Sequence, residues 1–247
     1  MNMKIFITGA SGIIGGVLLK CLSEKYNIVG VDKIPSDDTV TLDIMNKKEQ
    51  LRELLKGVDV VIHLAWDVKE AGTALGAPVM ENKTMGEIMY ELSLEQKVKK
   101  FILASSVHVS LGHIGYRQSG IVENHKVLHT KTITTRDEFF PLGIYGASKA
   151  YLETLGKAYS NKGLQVIAVR FGNVTHDDNF GEYPFWLSHR DCCQFIEKCI
   201  ETKNLPMYSV FFAISDNPCN PFNLSDVRSQ LGYEPKDKSK CPNADKI

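Results

Sequence analysis

Glycines at positions 9, 12 and 15 punctuate the run Thr8-Gly9-Ala10-Ser11-Gly12-Ile13-Ile14-Gly15-Gly16, directly behind the apolar stretch Ile5-Phe6-Ile7. A buried strand that turns through glycines straight into a helix aims backbone N–H groups and the positive helix end at one spot, which suits a pyrophosphate. Each glycine has a task in such a turn. Gly9 permits the tight bend, Gly12 lets backbone approach the phosphates, and Gly15 lets the helix lie close on the strand. The first gap is longer than in the commoner dinucleotide fingerprint, which narrows the kind of dinucleotide fold expected.

The rest of the chain keeps the rhythm this turn begins. Short apolar runs near 3–8, 27–32, 58–64, 100–105, 165–171 and 208–213 read as strands. Amphipathic stretches near 12–25, 46–56, 79–98, 144–162, 189–202 and 223–231 read as helices, so the expected fold is α/β, a Rossmann-type doubly wound parallel sheet with helices on both faces. One domain spans 1–247, with a small substrate-binding portion over about 172–235. About forty residues between Ser105 and Tyr145 show little periodicity. A loop of that length at the carboxyl end of a strand is where an active-site insertion or lid is expected, here 106–143. The tail from Lys236 on is polar and expected to be loose.

Composition narrows the partners. Lys plus Arg is 29 and Asp plus Glu is 29, a balance that gives no footprint for nucleic acid or an anionic membrane, so a small-molecule substrate is the expectation. Cys21, Cys192, Cys193, Cys199, Cys219 and Cys241 show no CxxC pairing or metal-ligand spacing, and no apolar leader precedes them. Reduced thiols in a cytoplasmic protein are expected.

Two constellations carry chemistry. Ile28-Val29-Gly30-Val31-Asp32 ends the second strand with a carboxylate placed to hold adenosine ribose hydroxyls. Such a carboxylate repels an extra ribose phosphate and favours NAD, although Lys33 beside it softens that rejection. Asp43, before Ile44, accepts either an adenine amine or the N–H groups that open the next helix. Small residues at Leu64-Ala65 let a ribose pass close over the strand end, whereas His63 reads as a core histidine. In the second constellation, Tyr145 and Lys149 share one helix face, so that the ammonium favours the ionised phenol. A phenol near its free pKa of about 10 is a poor base at neutral pH without such help. The spacing alone arises about once by chance in a chain this rich in lysine. Ser105-Ser106 adds context by closing the fourth strand at the same sheet edge, where a hydroxyl can donate to the substrate oxygen that Tyr145 deprotonates.

Together these residues resemble the extended short-chain dehydrogenase/reductase superfamily, that of NAD-dependent epimerases and dehydratases. The resemblance covers most of the chain: the GxxGxxG turn, Asp32, Asp43-Ile44, His63-Leu64-Ala65, Asn82, Ser105-Ser106, Tyr145 to Lys149, and Arg170-Phe171-Gly172-Asn173-Val174. The closing segments, Trp186 to Asp191, Ser215-Asp216-Asn217 and Leu231 to Pro235, look most like uronate dehydrogenases. The resemblance implies a mechanism in which Ser106 polarises the substrate, Tyr145 removes its hydroxyl proton, Lys149 lowers the tyrosine pKa and holds the nicotinamide ribose, and hydride passes to NAD. It implies an NAD site of Gly9, Ser11, Gly12, Ile13, Ile14, Gly15, Asp32, Lys33, Asp43, Ile44, Leu64, Ala65, Trp66, Asn82, Ser105, Tyr145, Lys149, Phe171 and Asn173. It also implies a substrate site of Val68, Val107, His108, Asn173 and Trp186, and a homodimer through helices 79–98 and 144–162.

The substrate positions depart from the uronate pattern. Val107 stands where those enzymes carry asparagine, Val68 or Asp67 where they carry serine, and the segment Asp177 to Tyr183 holds no arginine for a carboxylate. With only about thirty residues after the last strand, a small sugar or sugar-like alcohol fits better than a nucleotide sugar. The rivals are a nucleotide-sugar epimerase or dehydratase that keeps its NAD, and a non-catalytic NAD sensor. The insertion offers His108, His113, Arg117, His125, Lys126, His129 and Lys131 as a cluster able to take an anionic substrate or to be solvated lid. Lacking helix-spaced pairs with a carboxylate, these histidines are not expected to hold a metal.

Overall fold

The structure, a computed structural model, describes residues 3–67, 79–114, 133–179, 184–218 and 220–240. Seven parallel strands form one sheet: β1 (Lys4–Thr8), β2 (Asn27–Asp32), β3 (Val40–Thr41), β4 (Val60–His63), β5 (Lys100–Ser106), β6 (Gln165–Phe171) and β7 (Tyr208–Ala213). Their order in space is β3-β2-β1-β4-β5-β6-β7. The chain runs outward from β1 to β3, then returns to lay β4 on the other side of β1. The carboxyl ends of β1 and β4 therefore flank a crevice, the usual ligand position in an open parallel sheet.

β4 and β5 are buried along their whole length, as strands covered on both faces must be. On one face, α1 (Ile13–Leu22), α5 (His189–Glu201) and α6 (Ser225–Leu231) bury Leu18, Leu22, Phe195, Ile196, Val227 and Leu231 against the sheet. On the other, α2 (Lys48–Leu54), α3 (Val79–Glu95) and α4 (Gly143–Ser160) bury Leu51, Met85, Met89, Tyr90 and Leu152. The expected doubly wound fold is the observed one.

Three features depart from or add to the expectations. First, a seventh strand beyond the six expected, β3, precedes Asp43 at the sheet edge, held by Leu42 N–H donating to the Asp32 carbonyl at 2.7 Å. Second, the tail is tied down as far as Ser239. The N–H groups of Lys236 and Asp237 donate to the buried Asp191 carboxylate, and that of Ser239 donates to Asn217. The charge and turns of Lys236 to Ser239 suggested looseness, but a buried carboxylate needs donors and this segment supplies them. Third, Cys21 and Cys193 are joined in a disulfide that links α1 to α5 across 172 residues of sequence. Only facing helices bring those sulfurs together, so spacing could not reveal the bond. Cys192 and Cys199 are free and buried, with burial pushing the Cys192 thiol up to about 12 and that of Cys199 higher still. Cys219 and Cys241 lie outside the described residues.

The two ends of the 106–143 insertion pack on the sheet edge. Short 3-10 turns at Val107–Val109 and Leu111–Ile114 bond back to the returning segment, Gly112 N–H to the Phe140 carbonyl and Leu142 N–H to that of His108. His113 bonds the Glu138 carbonyl at 2.8 Å. Arg117, His125, Lys126, His129 and Lys131 lie outside the described residues, as does Val68.

Candidate active site

The half of the crevice at the ends of β1 and β2 is built mainly from backbone. Gly9 has φ +71°, and a Cβ there would stand 2.7 Å from the Ala65 nitrogen, so only glycine lets the β1 turn pass this close under the β4 end. A Cβ on Gly15 would lie 2.3 Å from the Gly9 carbonyl oxygen, which explains the third glycine as a packing requirement. α1 begins after Gly12 with no side-chain cap and no acidic residue in its first turn. Its positive end, with Ser11, Ile13 and Ile14 beside it, is left for an anion.

Asp32 ends β2 next to this turn. Its carboxylate accepts from Ser11 N–H at 3.0 Å and from Ile34 N–H at 2.9 Å, which fixes its direction. A cavity of about 300 Å³ opens beside it, floored by Gly9, Gly12 and Ala65 and walled by Asp32, Lys33, Asp43, Ile44, Leu64 and Trp66. Lys33 is ion-paired with Asp67. Asp43 lines the cavity, and it accepts from Met45 N–H and Asn46 Nδ2 to close the turn ahead of α2.

The reactive half comes from strand ends and one helix. Ser106 ends β5, and Tyr145 and Lys149 lie one turn apart on α4. Gly146 lets the start of α4 rest on the 107–109 turn, since a Cβ there would come within 2.5 Å of the His108 carbonyl oxygen. That close approach brings His108 edge-on to Tyr145, with centroids 5.2 Å apart. The Ser106 hydroxyl lies 3.1 Å from His108 Nδ1, on the same side as the Tyr145 phenol. Burial pushes the Tyr145 phenol up, and the neighbouring Ser106 hydroxyl pulls it partly back. Burial also drives His108 down to about 4, so the imidazole is neutral.

Lys149 is buried, and its ammonium donates to the Ala104 carbonyl at 2.8 Å. Desolvation lowers it to about 7, against a smaller upward pull from Glu153. Behind it stands an ion pair that the sequence reading missed. Glu153 and Arg170 are both fully buried and bonded at 2.9 and 3.0 Å, with Ser110 donated to by the same guanidinium and Ser105 donating to Glu153. The signal was present: Glu153 continues the face of Tyr145 and Lys149 at the same four-residue step. Ser105, expected at the cofactor, thus turns its hydroxyl to this ion pair instead. Asn82 likewise is buried and clamps the Asp67 backbone, accepting at 2.7 Å and donating at 3.0 Å.

His63 is the core histidine expected, bonded to Thr8 at 2.7 Å and held near 3 by burial and the Lys149 charge. Phe171 is buried at the end of β6, and Asn173 is exposed just beyond it, bridged to Trp186. Trp186 is buried with its indole nitrogen lacking a partner among the described residues. Val107 packs into the core beneath the site. The segment Ser188-His189-Arg190-Asp191 is scaffold: Ser188 caps α5, Arg190 bonds Asp237, and Asp191 accepts from Lys236 N–H. Among the described residues there is no cluster able to hold a metal ion, and no helix is long and apolar enough to cross a membrane.

An uncapped helix end on glycines, a fixed carboxylate at the second strand and a Ser–Tyr–Lys set define a dinucleotide-dependent oxidoreductase. The chain belongs to the NAD dependent epimerase/dehydratase family, whose sequence profile matches residues 5–208. It is similar to an NAD-dependent glucose-6-phosphate dehydrogenase of Haloferax volcanii, 31% identical over 97% of this chain and 95% of the relative. An L-arabinose 1-dehydrogenase (NAD(P)(+)) of the same organism is 26% identical over 96% of this chain and 97% of its own. The fold matches a crystal structure of uronate dehydrogenase from Agrobacterium tumefaciens with a TM-score of 0.76, at 24% identity over 96% of this chain and 85% of that one. The protein is an NAD-dependent oxidoreductase of the extended short-chain type.

Proposed function

We propose that this protein oxidises a small aldose, free or phosphorylated, at its ring hydroxyl-bearing carbon and passes the hydride to NAD. The observation that carries the reading is the convergence of Ser106, Tyr145 and Lys149 beside the cradle and cavity lined by Gly9, Gly12 and Asp32. The names of the two Haloferax relatives, both sugar dehydrogenases matched along nearly the whole chain, support the substrate class.

The first helix and Gly12 would take the pyrophosphate, Asp32 the adenosine ribose, and the cavity by Ile44 and Ala65 the adenine. When bound, NAD supplies the hydride acceptor. The chain's own groups do the rest. Ser106 orients the substrate hydroxyl, with neutral His108 and the Trp186 indole N–H as further hydrogen-bonding groups at that side. Tyr145 accepts the hydroxyl proton, and the nearby Lys149 charge makes that transfer easier. A uronate is disfavoured, because the described part of the 177–183 segment is acidic and Asp178 is used to hold His189 N–H at 2.8 Å. A homodimer through α3 and α4 and a cytoplasmic location complete the proposal; exposed Met80, Ile144 and Tyr151 on those helices support the first. The Cys21–Cys193 bond pulls against a reducing compartment, and a thiol count on freshly isolated protein measures which state prevails.

The test is NADH formation against free aldoses, aldose 6-phosphates, uronates and polyols, with NADP run in parallel. Turnover with an aldose or its phosphate is expected. Turnover confined to uronates or polyols, or none with tightly held NAD, would replace this reading.

A further inference from the structure

Just past the end of β4, Leu64 and Ala65 line the cavity, and then the chain places an indole. The ring of Trp66 lies 3.9 Å below the Lys149 ammonium and meets the Tyr145 ring edge-on, centroids 5.3 Å apart and planes at 88°. One side chain thus touches both reactive groups. An ammonium has three N–H donors and needs somewhere to direct each when buried. The Ala104 carbonyl takes one, and an aromatic face is a surface on which the charge can rest without a directional acceptor. That leaves the remaining direction for the phenol and ribose side.

Trp66 is itself held by its neighbours rather than by its own hydrogen bond. Its indole nitrogen is buried without a partner among the described residues. The next residue, Asp67, is clamped by Asn82 through two backbone bonds and ion-paired with Lys33. This accounts for Asn82 as well: buried in α3, it anchors the strand end that presents the indole.

We infer that Trp66 is a positioning residue of the hydride-transfer site, its face holding the Lys149 ammonium on the Ala104 carbonyl and its edge holding the Tyr145 ring. The inference rests on the Ser106–Tyr145–Lys149 reading above. The charged and titratable groups around Lys149 and Tyr145 are Glu153 on α4, His63 on β4, and Ser106 and His108 at the end of β5. None of these is altered by changing Trp66. Removing the aromatic face therefore acts on the ammonium directly: the charge is less favoured, Tyr145 ionises less readily, and the rise of kcat with pH moves to higher pH.

Trp66→Leu keeps apolar bulk and loses the face, whereas Trp66→Phe keeps a face. With NAD and the substrate found by the screen, Trp66→Leu is expected to lower kcat about five- to thirtyfold at saturating NAD, with the rising pH limb displaced upward. Trp66→Phe is expected to keep at least a third of wild-type kcat and the wild-type limb. Equal losses in both variants, which a packing role would produce, overturn the inference. So does a Leu variant that matches or exceeds the wild type, which would mean that the ring shields Lys149. Should Trp66→Leu fail to fold, Trp66→Met takes its place. An independent reading uses emission. In a Trp186→Phe background Trp66 is the sole indole, and adding Lys149→Met must change its spectrum; an unchanged spectrum contradicts the contact. If Tyr145→Phe retained activity, the parent reading would fail whatever Trp66 does, so the two failures are separable.

Discussion

The proposed cofactor and substrate halves of one crevice are made of different material. On the proposed cofactor side most groups are main-chain, the turn at Gly9, the helix start at Gly12 and the strand end at Ala65, joined by the Asp32 carboxylate, all within the first 67 residues. On the substrate side they are side chains delivered from distant elements, Ser106 from β5, Tyr145 from α4 and Trp186 from beyond β6. A seat made of backbone needs certain residue types at certain spacings, and those are local. A seat made of side chains depends on what stands across the crevice, which only the fold decides.

Changes to the two halves should therefore fail differently. Gly9→Val forces a Cβ against Ala65 at positive φ, and is expected to weaken NAD binding by more than about a hundredfold, read by calorimetric titration. Retained NAD affinity would show that the turn is not the seat. Arg170→Met strands the buried Glu153 carboxylate and should cost about 3–5 kcal/mol of stability, read by denaturant unfolding. A loss below about 1 kcal/mol would mean that the ion pair does not brace α4 behind Lys149.

Lys149→Met gives a smaller and opposite effect. The folded protein holds Lys149 near 7 while the unfolded chain has it at 10.5, so the buried charge opposes folding fully below pH 7, and the penalty fades as pH climbs toward 10.5. The variant should lose turnover yet gain about 1–3 kcal/mol at pH 6, and the gain should shrink by pH 10. A gain that grows with pH would reverse the sign of this account.

How much was readable in advance follows the same division. The glycine turn, Asp32, and the four-residue step from Tyr145 to Lys149 state their chemistry in a few adjacent positions, and the fold places them together. Six of seven strands were legible as apolar runs; β3 was too short to announce itself except through its neighbours Leu42 and Ile44. Glu153 and Arg170 were not legible as partners, because an ion pair joining α4 to β6 has no local pattern. Ser105 and Asn82 were assigned to the cofactor by position, whereas burial commits the Ser105 hydroxyl to Glu153 and the Asn82 amide to Asp67. The Cys21–Cys193 bond lay hidden for the same reason, since α1 and α5 meet only in three dimensions.

The central claim is that cradle and chemistry are separable, NAD held by one half and its hydride exchange governed by Tyr145 in the other. Tyr145→Phe, measured for both NAD Kd and kcat with the substrate identified by the screen, tests it most directly. The account predicts a Kd within about threefold of wild type and a kcat lower by about 10²–10⁴. A variant that kept near-full turnover, or that lost NAD binding along with it, would contradict it.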